Sequence, residues 1–159
     1  MMEDASPLDA IIAAFPRLFR GRPPEVESSL PPGWGQLVHA MFVDIDAVLN
    51  DADADRFRVL QVKEKFGGLR VYWRLGGAAT VTGDIYTGSP LGVRRFSVHP
   101  APASSIFWLI SARVDQAEQE SFAICQQCAN EGASTAGSRS WIVTLCAKCR
   151  AAYSAISDE

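Results

Sequence analysis

No cysteine precedes Cys125 in this 159-residue chain, and only four occur at all: Cys125, Cys128, Cys146 and Cys149. None is left over to act as a nucleophile or a resolving thiol. Histidine is nearly as scarce, with His39 and His99 in unrelated segments, so no nucleophile–base pairing is visible. Long apolar runs are missing too: nothing approaches the ~20 residues needed to cross a bilayer. The first residues carry Glu3 and Asp4 in place of a secretory apolar region, so an oxidising compartment has no support. The cytoplasm is the expected location. Finally, there is no surplus of basic charge. Fifteen Lys and Arg stand against 18 Asp and Glu, for a net charge of −3, which leaves only a local basic patch to attract phosphates.

Two apparent motifs fail on inspection. Asp51-Ala52-Asp53-Ala54-Asp55 opens like a calcium loop, but the positions that need glycine and glutamate hold Arg56 and Val62, so a solvated acidic turn is expected. Gly67-Gly68 is not followed by Gly-Lys-Ser/Thr, and is no phosphate loop.

What is present is a pair of Cys-x-x-Cys steps, Cys125/Cys128 and Cys146/Cys149. Each step lets two thiolates grip one metal from a tight turn, and two such turns complete a tetrahedron. Two disulfides, or two redox pairs, are the competing readings. The compartment disfavours the first, and the absence of a strand–motif–helix context disfavours the second. Zn2+ is the expected ion, with iron in the same cage as the alternative. Four protein ligands leave no open position for substrate, so the expected role of the zinc is structural.

The remainder reads as one domain over 1–159, with 48% hydrophobic and 21% charged residues, enough for a core without disulfides. We expect a helix and a Pro-rich connector over 1–32, an α+β core over 33–123 with a long loop at 76–102, and a zinc module over 124–150. The fold class is α+β: two long helices packed on a small antiparallel sheet or hairpin, with a zinc-ribbon-like knuckle at the C-terminal end.

Ser6-Pro7 caps a first helix, which Pro16 should end near Phe15. Trp34, Leu37, Val38, Met41, Phe42, Ile45, Val48 and Leu49 recur on one helical face. His39 falls on its polar flank, as a surface residue. Phe57 to Leu75 reads as a β-hairpin, the Gly67-Gly68 pair supplying positive φ. In its second strand Leu69, Val71, Trp73 and Leu75 alternate with Arg70, Tyr72 and Arg74, so an apolar face should pack on the Trp34–Leu49 helix opposite a cationic, aromatic face. Within the long loop, Val81–Tyr86 and Val93–Val98 are weak strand candidates. Arg94, Arg95 and His99 could form a local basic site there, though surface residues are the plainer reading. Ser104 or Ser105 caps a second long helix with Ile106, Phe107, Ile110, Val114 and Ala117 as its buried stripe, and its end from Asp115 to Glu120 is polar. Gly132–Ser140 should be a small-residue loop and Trp141–Leu145 a strand, with Trp141 covering the metal or the module's core. Arg150–Ile156 forms a short helix at most.

Gly33-Trp34 before a helix, Val62-Lys63-Glu64-Lys65-Phe66-Gly67-Gly68-Leu69-Arg70-Val71-Tyr72, and a polar helix running into Cys-x-x-Cys and then Thr144-Leu145-Cys146 carry a resemblance. The chain resembles an uncharacterised family of small bacterial and phage proteins with a Lys-Phe-Gly-Gly-Leu-Arg segment and a C-terminal pair of cysteine pairs. The likeness runs from about Gly33 to Cys149, with 76–102 as an insertion. It implies zinc and a compact α+β fold, and it brings no activity. In the family a Cys-Gly step follows the first pair, where this chain has Ala129.

The leading functional expectation is a non-enzymatic, zinc-stabilised module that binds another protein, such as an inhibitor, immunity protein or phage-encoded modulator. The acidic charge suits a partner with a basic surface. The alternative is nucleic-acid binding through Arg70, Tyr72 and Arg74, with Lys148 and Arg150 beside the zinc. Arg94 and Arg95 join Arg70, Tyr72 and Arg74 as candidate partner-binding residues, although solvent-facing arginines more often pair with nearby acids. An enzyme using Lys63, Glu64 or Asp44 is the third reading.

Overall fold

A computed structural model describes residues 5–86, 93–100, 104–138 and 141–157. The expectations that fall on Glu3 and Asp4, on part of 76–102 and on the end of Gly132–Ser140 lie outside these.

The chain is α+β. Helix α1 (Pro7–Ala14) starts at Ser6, whose Oγ accepts the Asp9 N–H, and Pro16 closes it and opens the short α2 (Pro16–Phe19). Proline fits a first helical position because no N–H is needed there. Leu8, Ile11, Phe15, Leu18 and Phe19 all enter the core. A 3-10 turn (Pro32–Trp34) leads into α3 (Gly35–Val48), whose Leu37, Val38, Met41, Phe42 and Ile45 are buried. The acidic stretch that imitates a calcium loop is a short helix, α4 (Asp51–Arg56), with Asn50 capping the Asp53 N–H.

Strands β1 (Phe57–Lys65) and β2 (Gly68–Leu75) form the expected hairpin, and the two-residue β3 (Ala78–Ala79) extends it in the order β1-β2-β3. The tight turn uses Phe66 and Gly67, at φ +53° and +78°, with Lys65 opposite Gly68. It therefore sits one residue earlier than the Gly-Gly pair suggests, and Gly68 already belongs to β2. The free edge of β1 is covered by the proline-rich connector. Val26 donates its N–H to Leu60 C=O at 2.8 Å, Ser29 donates to Val62 C=O at 3.0 Å, and Ser28 Oγ accepts the Val62 N–H.

The stretch over 76–102 is not a plain loop. Its two weak strand candidates are strands, β4 (Val81–Tyr86) and β5 (Val93–Val98), paired antiparallel with Asp84 opposite Arg95. Helix α5 (Ser105–Glu120) follows, capped by Ser104. This is the helix that lies against β2, and α3 packs on α5. Trp73 of β2 meets Phe107 of α5 at 4.8 Å between ring centroids. The apolar face of β2 thus rests chiefly on α5, not on the Trp34–Leu49 helix as periodicity suggested. Part of the expected small-residue loop is a strand, β6 (Ser134–Ser138), which pairs with β7 (Trp141–Leu145); helix α6 (Ala147–Ser157) follows. Trp141 is exposed and covers neither the cysteines nor the core. At the strand's far end Leu145 is buried in that role instead.

Candidate metal centre

The first cysteine pair sits on a turn held by its own backbone. Cys125 donates its N–H to Asn130 C=O at 2.9 Å and accepts the Ala129 N–H at 2.9 Å. The turn requires a left-handed residue, and Ala129 occupies it at φ +67°. A Cβ there costs about 1–2 kcal/mol, and glycine's entropy takes back about 0.5–1 kcal/mol, so Ala129→Gly is expected to raise stability by about 0.5–1 kcal/mol. Urea unfolding of the metal-loaded variant tests this; a lower midpoint would mean that the turn does not need that conformation.

The second pair is divided between two elements. Cys146 directly follows β7 and Cys149 lies in the first turn of α6, where Arg150 N–H returns to Cys146 C=O. All four Sγ atoms lie within 4.8 Å of one another, and Cys128 and Cys146 approach to 3.6 Å. In a tetrahedron with metal–sulfur bonds of about 2.3 Å, the sulfurs would stand about 3.8 Å apart. The four cysteines are therefore close enough to bind one metal ion. Two separate disulfides would not require all four sulfurs to converge.

The electrostatics of the four thiols suit a shared cation. Burial pushes the Cys125 thiol up, but backbone hydrogen bonds from Cys146, Cys128 and Gln127 outweigh it and lower the thiol to about 6. Cys149 is pushed up to about 12 by its contacts with Cys128, by burial, and by Cys146 and Cys125. Backbone hydrogen bonding from Cys149 lowers the Cys146 thiol as well, whereas Cys128 is raised, so two thiols are favoured as thiolates and two are held protonated; a divalent ion removes that conflict.

The module is fastened to the core at the residues that carry the sequence resemblance. Gly33 donates its N–H to Gln126 C=O at 2.8 Å, and Trp34 Nε1 donates to Ile124 C=O at 2.9 Å. A Cβ on Gly33 would stand 2.0 Å from the Cys125 carbonyl oxygen. Gly33→Ala is thus expected to cost about 3 kcal/mol, the upper range for overpacking, and to quicken metal transfer to a chelator. Unchanged denaturation and transfer rates would show that the knuckle yields freely. From the other side, Thr144 Oγ1 donates to Gly67 C=O at 2.6 Å, and Gln126 and Thr144 exchange two further hydrogen bonds.

The cationic face inferred for β2 is largely covered. Arg70 is buried, and its Nη2 meets Asp84 of β4 at 3.3 Å, with Lys65 Nζ on the other oxygen at 3.1 Å. Arg74 pairs with Glu25 at 3.0 Å, Tyr72 is half-buried under Lys63, and Arg95 is bound to Glu118 of α5. Arg94 alone among the five stays exposed with no carboxylate partner among the described residues. Of the other basic candidates, Lys148 is exposed, while Arg150 donates to the carbonyls of Ser134 and Val143. His39 is exposed and packs on Phe15. Asp44 pairs with Arg113, and Glu64 accepts the Gly67 N–H at 2.6 Å across the hairpin turn.

Two residues that sequence reasoning missed organise this region. The Asp84 side chain is 2% exposed. Burial alone would raise its carboxyl, but Arg70 and Lys65 prevail and hold it below the usual range. Glu118 lies within the helix end read as polar, yet it is buried. It accepts Val71 N–H at 2.9 Å as well as Arg95, while burial holds its carboxyl above the usual range despite them. The available signal was position: Glu118 continues the Ile110–Val114 stripe at helical spacing. Comparison with family models, with curated proteins and with solved structures returns no match to this chain.

Proposed function

We propose that the chain is a non-enzymatic protein-binding module held together by a structural zinc ion at Cys125, Cys128, Cys146 and Cys149. A closed four-thiolate shell has no vacant position for a reacting group, so the ion would act through the fold. The observation that carries the binding role is the inverted β4–β5 hairpin. Its charged residues Asp84 and Arg95 point at the core, and Val81, Ile85, Phe96 and Val98 face solvent. An exposed apolar patch of this size, comparable to the largest on an ordinary monomer, is often functional.

Nucleic-acid binding has less support. Arg70, Arg74 and Arg95 each have a carboxylate partner, which lowers the positive potential a phosphate backbone would meet. The separating experiment is a fluorescence-anisotropy titration of labelled random-sequence DNA and RNA at low salt, beside crosslinking capture with nuclease-treated and untreated halves. A nuclease-resistant protein partner and flat anisotropy are expected. Oligonucleotide affinity that falls steeply with salt would overturn the proposal in favour of the alternative.

A further inference from the structure

We infer that the outer face of the β4–β5 hairpin, formed by Val81, Ile85, Arg94, Phe96 and Val98, docks a short acidic, apolar segment of another protein. The inference rests on the protein-binding reading and gives that partner its chemistry. Val81, Ile85, Phe96 and Val98 are each at least half exposed, and they share one side of the ladder through the pairs Val81/Val98, Gly83/Phe96 and Ile85/Arg94. At Gly83 the Phe96 ring occupies the space that a side chain would need, 2.3 Å from an ideal Cβ, so the ring lies across the glycine and levels the face.

The outward orientation is set by charge. Shifting one strand by one residue would exchange its faces, and would take Asp84 from Arg70 and Lys65, or Arg95 from Glu118. Buried Arg70 and Glu118 would then lose their counter-charges. The apolar side chains are thus held in water by the ion pairs beneath them.

Charge also selects the occupant. From Ile85 through Val114 the sequence contains no Asp or Glu. Two of the arginines in that stretch, Arg95 and Arg113, are matched to Glu118 and Asp44, which leaves Arg94 exposed on the docking face. The face is therefore locally cationic although the chain carries a net charge of −3. A second copy seated there would add another Arg94 and no carboxylate from the same face, so self-pairing is disfavoured. The four apolar side chains offer on the order of a few hundred Å², below the ~800 Å² per partner typical of a stable globular complex. That area matches a short segment with two or three apolar side chains and a carboxylate for Arg94.

The test pans random linear peptides displayed on phage against the zinc-loaded chain, then titrates labelled synthetic copies of the enriched peptides. Sedimentation of the chain alone is run in parallel. Enriched peptides are expected to combine apolar residues with Asp or Glu, and the chain to sediment as a monomer. Phe96→Ser, Val81→Ser and Arg94→Glu should each weaken binding by about tenfold or more. Replacing the peptide's carboxylate with lysine should restore affinity for Arg94→Glu. Circular dichroism and zinc content verify that the exposed-site variants still fold. Peptides that bind wild type and all three variants equally would overturn this surface while leaving the protein-binding reading intact. A wild-type dimer abolished by Phe96→Ser would assign the face to a second copy and overturn the inference. No enrichment over an unrelated zinc protein would overturn the surface and weaken the wider reading with it.

Discussion

Replacing Cys125 by serine is expected to abolish tight metal binding and to lower the thermal midpoint by roughly 10 °C or more. Loss of a structural metal ion would cost at least about 4 kcal/mol, well under the 10–16 kcal/mol apparent for zinc in isolated zinc fingers, and a domain of this size shifts by about 2–4 °C per kcal/mol. Cys125 is fully buried, and its backbone closes the knuckle on both sides. A serine oxygen would be a harder and much less acidic ligand, and the three remaining thiols would lack the geometry that four provide. The damage should extend beyond the module, because Trp34 and Gly67 of the core bond directly to it. Dialysis followed by atomic emission gives the metal content, and calorimetry gives the midpoint; wild type treated with a chelator should behave like the variant. One tightly held equivalent of metal and an unshifted midpoint in Cys125→Ser would sink the four-thiolate assignment.

The second large effect is expected at Asp84. Asp84→Ala removes the counter-charge from an Arg70 side chain that is 5% exposed, and breaking a buried pair on one side costs about 3–5 kcal/mol. Amides of β4 and β5 should exchange with solvent faster in the variant, since those strands would lose an anchor to the core. The pH dependence has a definite sign. Asp84 has a folded value below its unfolded one, so its contribution is complete above the ordinary carboxylate range and disappears as the pH falls through the lowered folded value. Glu118 is raised, so it works in the opposite sense: stability from this group falls as pH rises from the unfolded value through the raised folded one. Urea unfolding across the acid range should show a shallower acid loss for Asp84→Ala than for wild type. A cost below about 1 kcal/mol would mean that Asp84 is solvated, where an ion pair has little value.

Local chemistry made much of the architecture legible in the sequence. Ser6-Pro7, Pro16 and Ser104 mark helix limits through hydrogen bonding and ring geometry, and the cysteine spacing brings four sulfurs together because each pair needs only one tight turn. Long-range choices were less accessible. Which helix lies on β2 depends on Trp73 meeting Phe107, a contact that periodicity cannot assign. Arg70 alternates like an exposed residue, but its burial follows from an aspartate 14 positions away in a weak strand. Trp141 looked like a cover for the metal because it is large and apolar; in the antiparallel pair it lies opposite Ser138 at the end away from the cysteines.

Separation along the chain also sets an order of events in time. Trp34 and Ile124 are 90 positions apart, and Gly67 and Thr144 are 77 apart, whereas Cys128 and Cys146 are separated by only 18. The entropy of closing a loop grows with its length, and distant contacts slow folding. The cysteine module should therefore capture its ion while the hairpin and helices are still searching for one another. A stopped-flow experiment with cobalt would show thiolate-to-metal absorbance rising before the fluorescence change of Trp34 and Trp73 is complete. The ion would then act first as a nucleus and only later as a brace.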